Sequence, residues 1–184
     1  PSVEATTAVA NEAVAIRRKY DVQPEFTLSD GMKYEAVIEL EKGGEIRIDL
    51  FAEEAPNYVN NFIFLAENRF YEGLTFHRVI ANFVAQGGDP TGTGMSGSGY
   101  FLDPEFNDVQ LNRAGLISMA KSSFGVSGSQ FFITLGPTPW LTGEFTVFGE
   151  IVAGMDVVQS ITVREPGESQ PAADIIKEIR IIEK

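Results

Sequence analysis

The chain has no cysteine and a single histidine, His77, among its 184 residues. Disulfides, thiolate nucleophiles and cysteine-based zinc sites are therefore excluded, and one imidazole cannot build a histidine-rich metal centre. Basic residues are also scarce: 14 Lys and Arg stand against 26 Asp and Glu, a formal net charge of -12. Attraction to nucleic acid or to anionic lipid comes from clustered Lys and Arg, so neither partner is expected. No apolar stretch approaches the roughly 20 residues that a membrane helix needs, and no basic-then-apolar leader opens the chain. These absences lead us to expect a soluble, cytoplasmic protein, although a start at Pro1 leaves open a segment removed upstream. GxSxG is missing too, so an acyl-transfer triad would have to be assembled around His77 without a nucleophile elbow. Gly92-Thr93-Gly94-Met95-Ser96-Gly97 fits GxGxxG, but Ser98, Gly99 and then Pro104 follow it. A dinucleotide site needs a helix to begin there, and this sequence does not start one.

What is present is a set of short, punctuated apolar patterns. With 43% hydrophobic residues, the chain can core one domain and is short for two. Residues 1–32 form an Ala-rich N-terminal extension, read as partly helical from Ala5 to about Tyr20 or as a mobile arm, with Pro24 as a stop. In the body, 33–184, Tyr34, Ala36, Ile38 and Leu40 alternate with polar residues; Ile46, Ile48 and Leu50 do so after Lys42-Gly43-Gly44. That period of two around glycines predicts an antiparallel hairpin. From Pro56 the period changes: Val59, Phe62, Ile63, Ala66 and Phe70 share one face of a helix. Residues 87–99 read as a long Gly/Ser/Thr loop, 115–120, 130–135 and 145–152 as buried strands, 155–161 as a short helix, and the Ile179/Ile181 segment as a last strand. Many strands and two helices in the body indicate a mainly β protein, a barrel or a sandwich.

Chemically reactive groups are few, and none of the carboxylates lies in an apolar segment that would tune it for proton transfer. Arg78 stands out because its charge lies inside the apolar run TFHRVIANFVAQGGD, which also supplies Phe83, Val84 and Gln86. GSQFFI supplies Gln130 and Phe132, and PWLTG carries the only tryptophan, Trp140. Three segments in this order, FHRVIANFVAQGGDPTGTG, GLISMAKSSFGVSGSQFFIT and WLTGEFTVFGEIVAGMDVV, resemble a cyclophilin of bacterial type, a peptidyl-prolyl cis-trans isomerase. The resemblance runs from about Tyr34 to Ile182 and leaves the extension outside it.

The resemblance implies a closed eight-stranded antiparallel barrel capped by two α-helices, with a substrate groove on its outer face. It implies catalytic roles for Arg78, Gln86, Phe83 and Phe132. It implies substrate contacts at Val84, Gly92, Ala120, Lys121, Gln130, Trp140, Leu141 and Phe145, with no metal and no cofactor. Rotation about a peptide bond faces a barrier of about 18–20 kcal/mol, because the nitrogen lone pair is delocalised into the carbonyl. As the bond twists, that lone pair returns to nitrogen, and a guanidinium aimed at it binds the transition state more tightly than the ground state. Expected partners are proline-containing peptides and folding proteins; a monomer is expected. Where the family commonly has histidine this chain has Phe145, and Lys121 and Val84 replace common asparagine and methionine, so cyclosporin binding is expected but weakened. Two other classes compete: a module that holds proline peptides without turning them over, and a barrel carrying a small ligand inside. An X-Pro exchange assay separates the first from the enzyme, and the filling of the interior tests the second. His77 is read as a structural, hydrogen-bonded histidine.

Overall fold

The computed structural model describes residues 19–166 and 170–184. The strands are β1 (Tyr34–Leu40), β2 (Glu45–Leu50), β3 (Arg78–Ile80), β4 (Val84–Gly87), β5 (Phe101–Leu102), β6 (Leu116–Ser122), β7 (Gly125–Thr134), β8 (Val147–Ala153) and β9 (Ile176–Glu183). Helix α1 (Pro56–Glu67) links β2 to β3, α2 (Met155–Gln159) links β8 to β9, and a one-turn 3₁₀ helix covers Pro139–Leu141.

The hairpin expected from alternation is β1 and β2, in register from Tyr34↔Leu50 to Glu39↔Glu45 around a turn whose Gly43 and Gly44 both take positive φ. One of its polar positions turns out to be buried. The Glu35 carboxylate is paired with Arg47 of β2 and with Lys184 beyond β9, two cations that compensate a charge taken out of water. Helix α1 begins at Pro56, where a missing N–H costs nothing. Ala55 provides no side-chain cap; instead Glu105, from a distant loop, accepts from the backbone N–H of Asn57 and Tyr58 at 3.0 and 2.8 Å. The α1 core face is Val59, Phe62, Ile63 and Ala66, as the period predicts, while Phe70 lies past the helix end in the following turn.

All strand pairs are antiparallel, and the hydrogen-bonded order is β3-β4-β7-β6-β8-β2-β1-β9, with β5 added beside β7. The expected closed eight-stranded barrel is thus corrected to an open, curled half-barrel of nine strands. Its two ends meet through an isolated bridge at Thr75–Ile175 and a further bond from Gly73 N to Ile176 O at 2.8 Å, ahead of β3 and at the very start of β9. The reason lies at the outer edge of β3, which is occupied by Arg164: Val79 and Arg164 exchange both backbone hydrogen bonds, at 3.1 and 2.8 Å. With three residues and one flank taken, β3 has no free ladder for β9. Strand limits also shift from the sequence reading, most at β7, which begins at Gly125 rather than Gln130.

The concave face holds the core. Phe62 of α1 touches Tyr71, Phe131 of β7 and Phe148 of β8 with ring centroids 5.2, 5.7 and 5.3 Å apart. These aromatics fill the interior, which removes the ground for a barrel carrying a ligand inside. The helical reading of the extension falls almost wholly on residues outside those described; Lys19 and Tyr20 are not helical. From Tyr20 to Lys33 the chain runs along the body as an irregular strap.

Candidate active site

Strand alternation decides which side chains leave the core. Val79, Ala85, Phe131 and Ile133 point inward, so their neighbours Arg78, Val84, Gln86, Gln130 and Phe132 share the outer face of β3, β4 and β7. The register brings them together: Arg78 lies opposite Gln86, and Gln86 lies opposite Phe132. Arg78 Nη1 donates to Gln86 Oε1 at 3.2 Å, and Gln86 Nε2 donates to Gln130 Oε1 at 2.8 Å. Gln130 Nε2 then donates to the carbonyls of Gly94 and Ser96 at 3.0 and 2.6 Å. This line of amides fixes the guanidinium in one orientation, and its far end is fixed in turn by a buried carboxylate. Asp89 accepts from Thr91 N and Oγ1 at 2.7 and 2.8 Å and from Ser96 N at 3.2 Å, which folds the 89–96 loop against β7.

Beside the arginine is an apolar wall. Val84 and Phe132 are buried at its floor, 3% and 5% exposed, although they lie outside the main core cluster. Phe83 follows the tight turn through Asn82, which takes a positive φ of 58°, and stacks with Trp140 at 6.1 Å and 22°. The Arg78 guanidinium carbon lies 5.9 Å from the centre of the Phe83 ring. Phe145 meets Phe132 edge-on at 5.3 Å, and Lys121 Nζ lies 5.0 Å from the centre of the Phe145 ring. Lys121 also donates to Glu144 O and Oε2 at 2.8 and 2.7 Å, and this hydrogen bond holds the Glu144 carboxyl below its usual range.

The remaining expected contacts divide. Trp140 is 65% exposed at the mouth of this face, whereas Leu141 leans into a satellite core with Leu111, Leu116 and Val147. Ala120 and Lys121 line a second hollow of about 460 Å³ that adjoins Gln86 and Gln130. Gly92 belongs to the 89–96 loop but not to the lining of that hollow, where Gly94, Gly97 and Gly99 are found instead. Met95, Phe101 and Phe124 at the same hollow, and Lys19 of the extension, were missed from the sequence. An exposed aromatic carries no periodic signal, so only the loop context could have flagged them. His77 is buried, as expected; neither ring nitrogen makes a hydrogen bond of full geometry among the described residues, and the Thr75 backbone is the hydrogen-bonding group that acts on the ring. Burial holds its pKa below the usual value, with the Asp89 charge acting in the opposite direction.

A guanidinium fixed beside an apolar recess, next to an open hollow, suits a peptide laid across the sheet. The profile of the family described as cyclophilin type peptidyl-prolyl cis-trans isomerase/CLD matches residues 36–183. A peptidyl-prolyl cis-trans isomerase of Schizosaccharomyces pombe is 42% identical over 143 residues, covering 76% of this chain and 92% of the relative. A peptidyl-prolyl cis-trans isomerase-like 1 protein of Rhizopus delemar is 48% identical over 120 residues, 63% of this chain and 73% of its own length. A cyclophilin-type isomerase from Cryptosporidium parvum superposes with a TM-score of 0.74 at 31% identity, over 82% of this chain and 98% of that one. The same isomerase, crystallised in the presence of the dipeptide Ala-Pro, gives 0.72 at 32% identity, over 80% and 98%. With its fold and its sequence in agreement over nearly the whole body, the chain belongs to the cyclophilin-type peptidyl-prolyl cis-trans isomerases.

Proposed function

We propose that this chain accelerates X-Pro rotation in peptides and folding proteins by stabilising the twisted amide through Arg78, without a covalent intermediate or cofactor. The observation that supports this most is the Arg78–Gln86–Gln130 relay, because it presents a permanent charge in fixed orientation at the edge of an apolar recess. The proline ring would rest against Phe83, Val84 and Phe132, with Trp140 and Phe145 at the border. The carbonyl before the proline would swing while the ring stays in place, and the returning lone pair on nitrogen would accept from the guanidinium. An arginine suits this role because it keeps its proton beside apolar groups and its donors are held in a planar fork. The Cryptosporidium isomerase was crystallised in the presence of the dipeptide Ala-Pro, a ligand of the class proposed here.

Uncatalysed X-Pro exchange takes tens to hundreds of seconds, slow enough to limit folding. NMR exchange of a short Ala-Pro peptide with wild type and Arg78→Ala tests the proposal. The substitution is expected to lower kcat/KM by about 10²–10³, the effect of removing one preorganised donor, with the circular dichroism unchanged. A folded Arg78→Ala variant of undiminished activity would overturn the role of Arg78. A wild type that binds the peptide without speeding its exchange would favour the binding module.

A further inference from the structure

The family match begins at residue 36, yet the strap before it is fastened to the body at several points. Tyr20 N donates to Ser98 O at 2.7 Å, and its ring meets Phe64 of α1 edge-on at 5.2 Å. Gln23 Nε2 donates to Phe101 O at 2.9 Å, and Thr27 N and Glu25 O both bond the side chain of Asn60. The body has made room for this strap: a Cβ on Gly99 would overlap the Tyr20 carbonyl. These contacts carry Lys19 to the rim of the 460 Å³ hollow beside Gln86 and Gln130.

The hollow differs from the rest of the molecule in charge. Although the chain contains 26 acidic residues, no Asp or Glu lines it among the described residues. Its lining offers Lys19, Lys121 and the hydroxyls of Ser96, Ser122 and Ser127. Lys121 is committed to Glu144, so Lys19 is the cation that the strap itself adds. Gln130 and Phe132 are two places apart on β7, about 7 Å along the strand. An extended peptide advances about 3.3–3.6 Å per residue, so a chain with its proline on Phe132 places a side chain two residues away over this hollow.

We infer that the N-terminal strap is part of the substrate-binding surface, and that Lys19 selects client segments bearing a carboxylate side chain two residues from the proline. The inference rests on the placement of the proline recess proposed above. Since the polarity of the bound peptide is open, both directions are probed with acetyl-Glu-Ala-Pro-Ala-Gln-amide and acetyl-Gln-Ala-Pro-Ala-Glu-amide against the peptide with Gln at both ends. One of the two acidic peptides is expected to exceed the neutral one in kcat/KM by about two- to five-fold, the effect of one partly exposed ion pair. Lys19→Ala should bring that ratio to one, Lys19→Glu should invert it, and 0.5 M NaCl should flatten it. Tyr20→Ala, which loosens the strap while leaving Lys19 in the chain, should also bring the ratio towards one. Equal kcat/KM for all three peptides, or a preference that survives Lys19→Glu, overturns the inference. NMR titration of the same peptides reads the charge preference from binding alone. Binding without turnover would strike the isomerase proposal, whereas binding that ignores the charge would strike this one.

Discussion

A charge held beside aromatic rings differs from one on an open surface chiefly in how firmly it is aimed. Gln86 accepts from Arg78 while donating to Gln130, so Gln86→Leu would free the guanidinium without removing it. Gln86→Leu is expected to cost about tenfold in kcat/KM with KM little changed, since a misaimed donor loses transition-state contact first. Saturation kinetics on an X-Pro peptide checks this. At the border, Phe145→His would restore a donor beside Lys121 and is expected to tighten cyclosporin about two- to tenfold, the effect of one hydrogen bond. The exposed Trp140 provides the fluorescence signal for that titration. His77 predicts a pH effect. Burial and the nearby Arg78 and Arg164 charges lower its pKa, and Asp89 opposes them. Between the folded and the unfolded values the unfolded chain binds the extra proton, so stability present above the ordinary histidine range, about 6.5, falls as the pH falls through it. The urea midpoint should drop from pH 7 to 5.5, and His77→Gln should flatten that slope; as the only histidine, His77 is isolated in this window.

At the level of elements, helix α1 takes its N-terminal cap from a residue far along the chain. Glu105→Ala leaves the first N–H groups of α1 without acceptors and is expected to destabilise the protein by about 0.5–2 kcal/mol. Urea unfolding with an unchanged m-value would check it. This cap was illegible in the sequence because Glu105 is 48 residues from Asn57, and capping patterns are local. By contrast, β1, β2 and α1 were legible because each buries one face, so period two and period 3.6 are written directly into Tyr34–Leu50 and Val59–Ala66. β3 and β4 are short, and on their outer face the apolar Ile80 and Val84 stand beside the polar Arg78 and Gln86, which breaks the polar-out alternation that would have marked them as strands. The resemblance could supply that site face; periodicity could not. Lys19 lies outside both kinds of signal, since neither a period nor the family match reaches it, whereas Phe101 and Phe124 fall within the family match but no period marks them.

At the scale of the whole molecule, closure was the feature that a sequence could not decide. Whether two strand ends pair depends on what else reaches the edge of β3, and Arg164 reaches it through a loop with no periodic signature. The core beneath takes its rings from α1, β7 and β8 and from the segment before β3, where Phe76 also bonds across the seam through its backbone N–H. Phe131→Ala, which removes the ring shared by Phe62, Tyr71 and Phe76, is expected to cost about 3–5 kcal/mol of the stability, measured by urea unfolding. One further consequence concerns the pairing of the first and last strands. Tyr34 lies opposite Glu183, and Lys184 N still donates to Lys33 O at 2.8 Å, so the body enters and leaves its sheet at one place. Such a body is a cassette: spliced into a host loop, it would part the host chain by little more than the spacing of two neighbouring strands, about 4.8 Å.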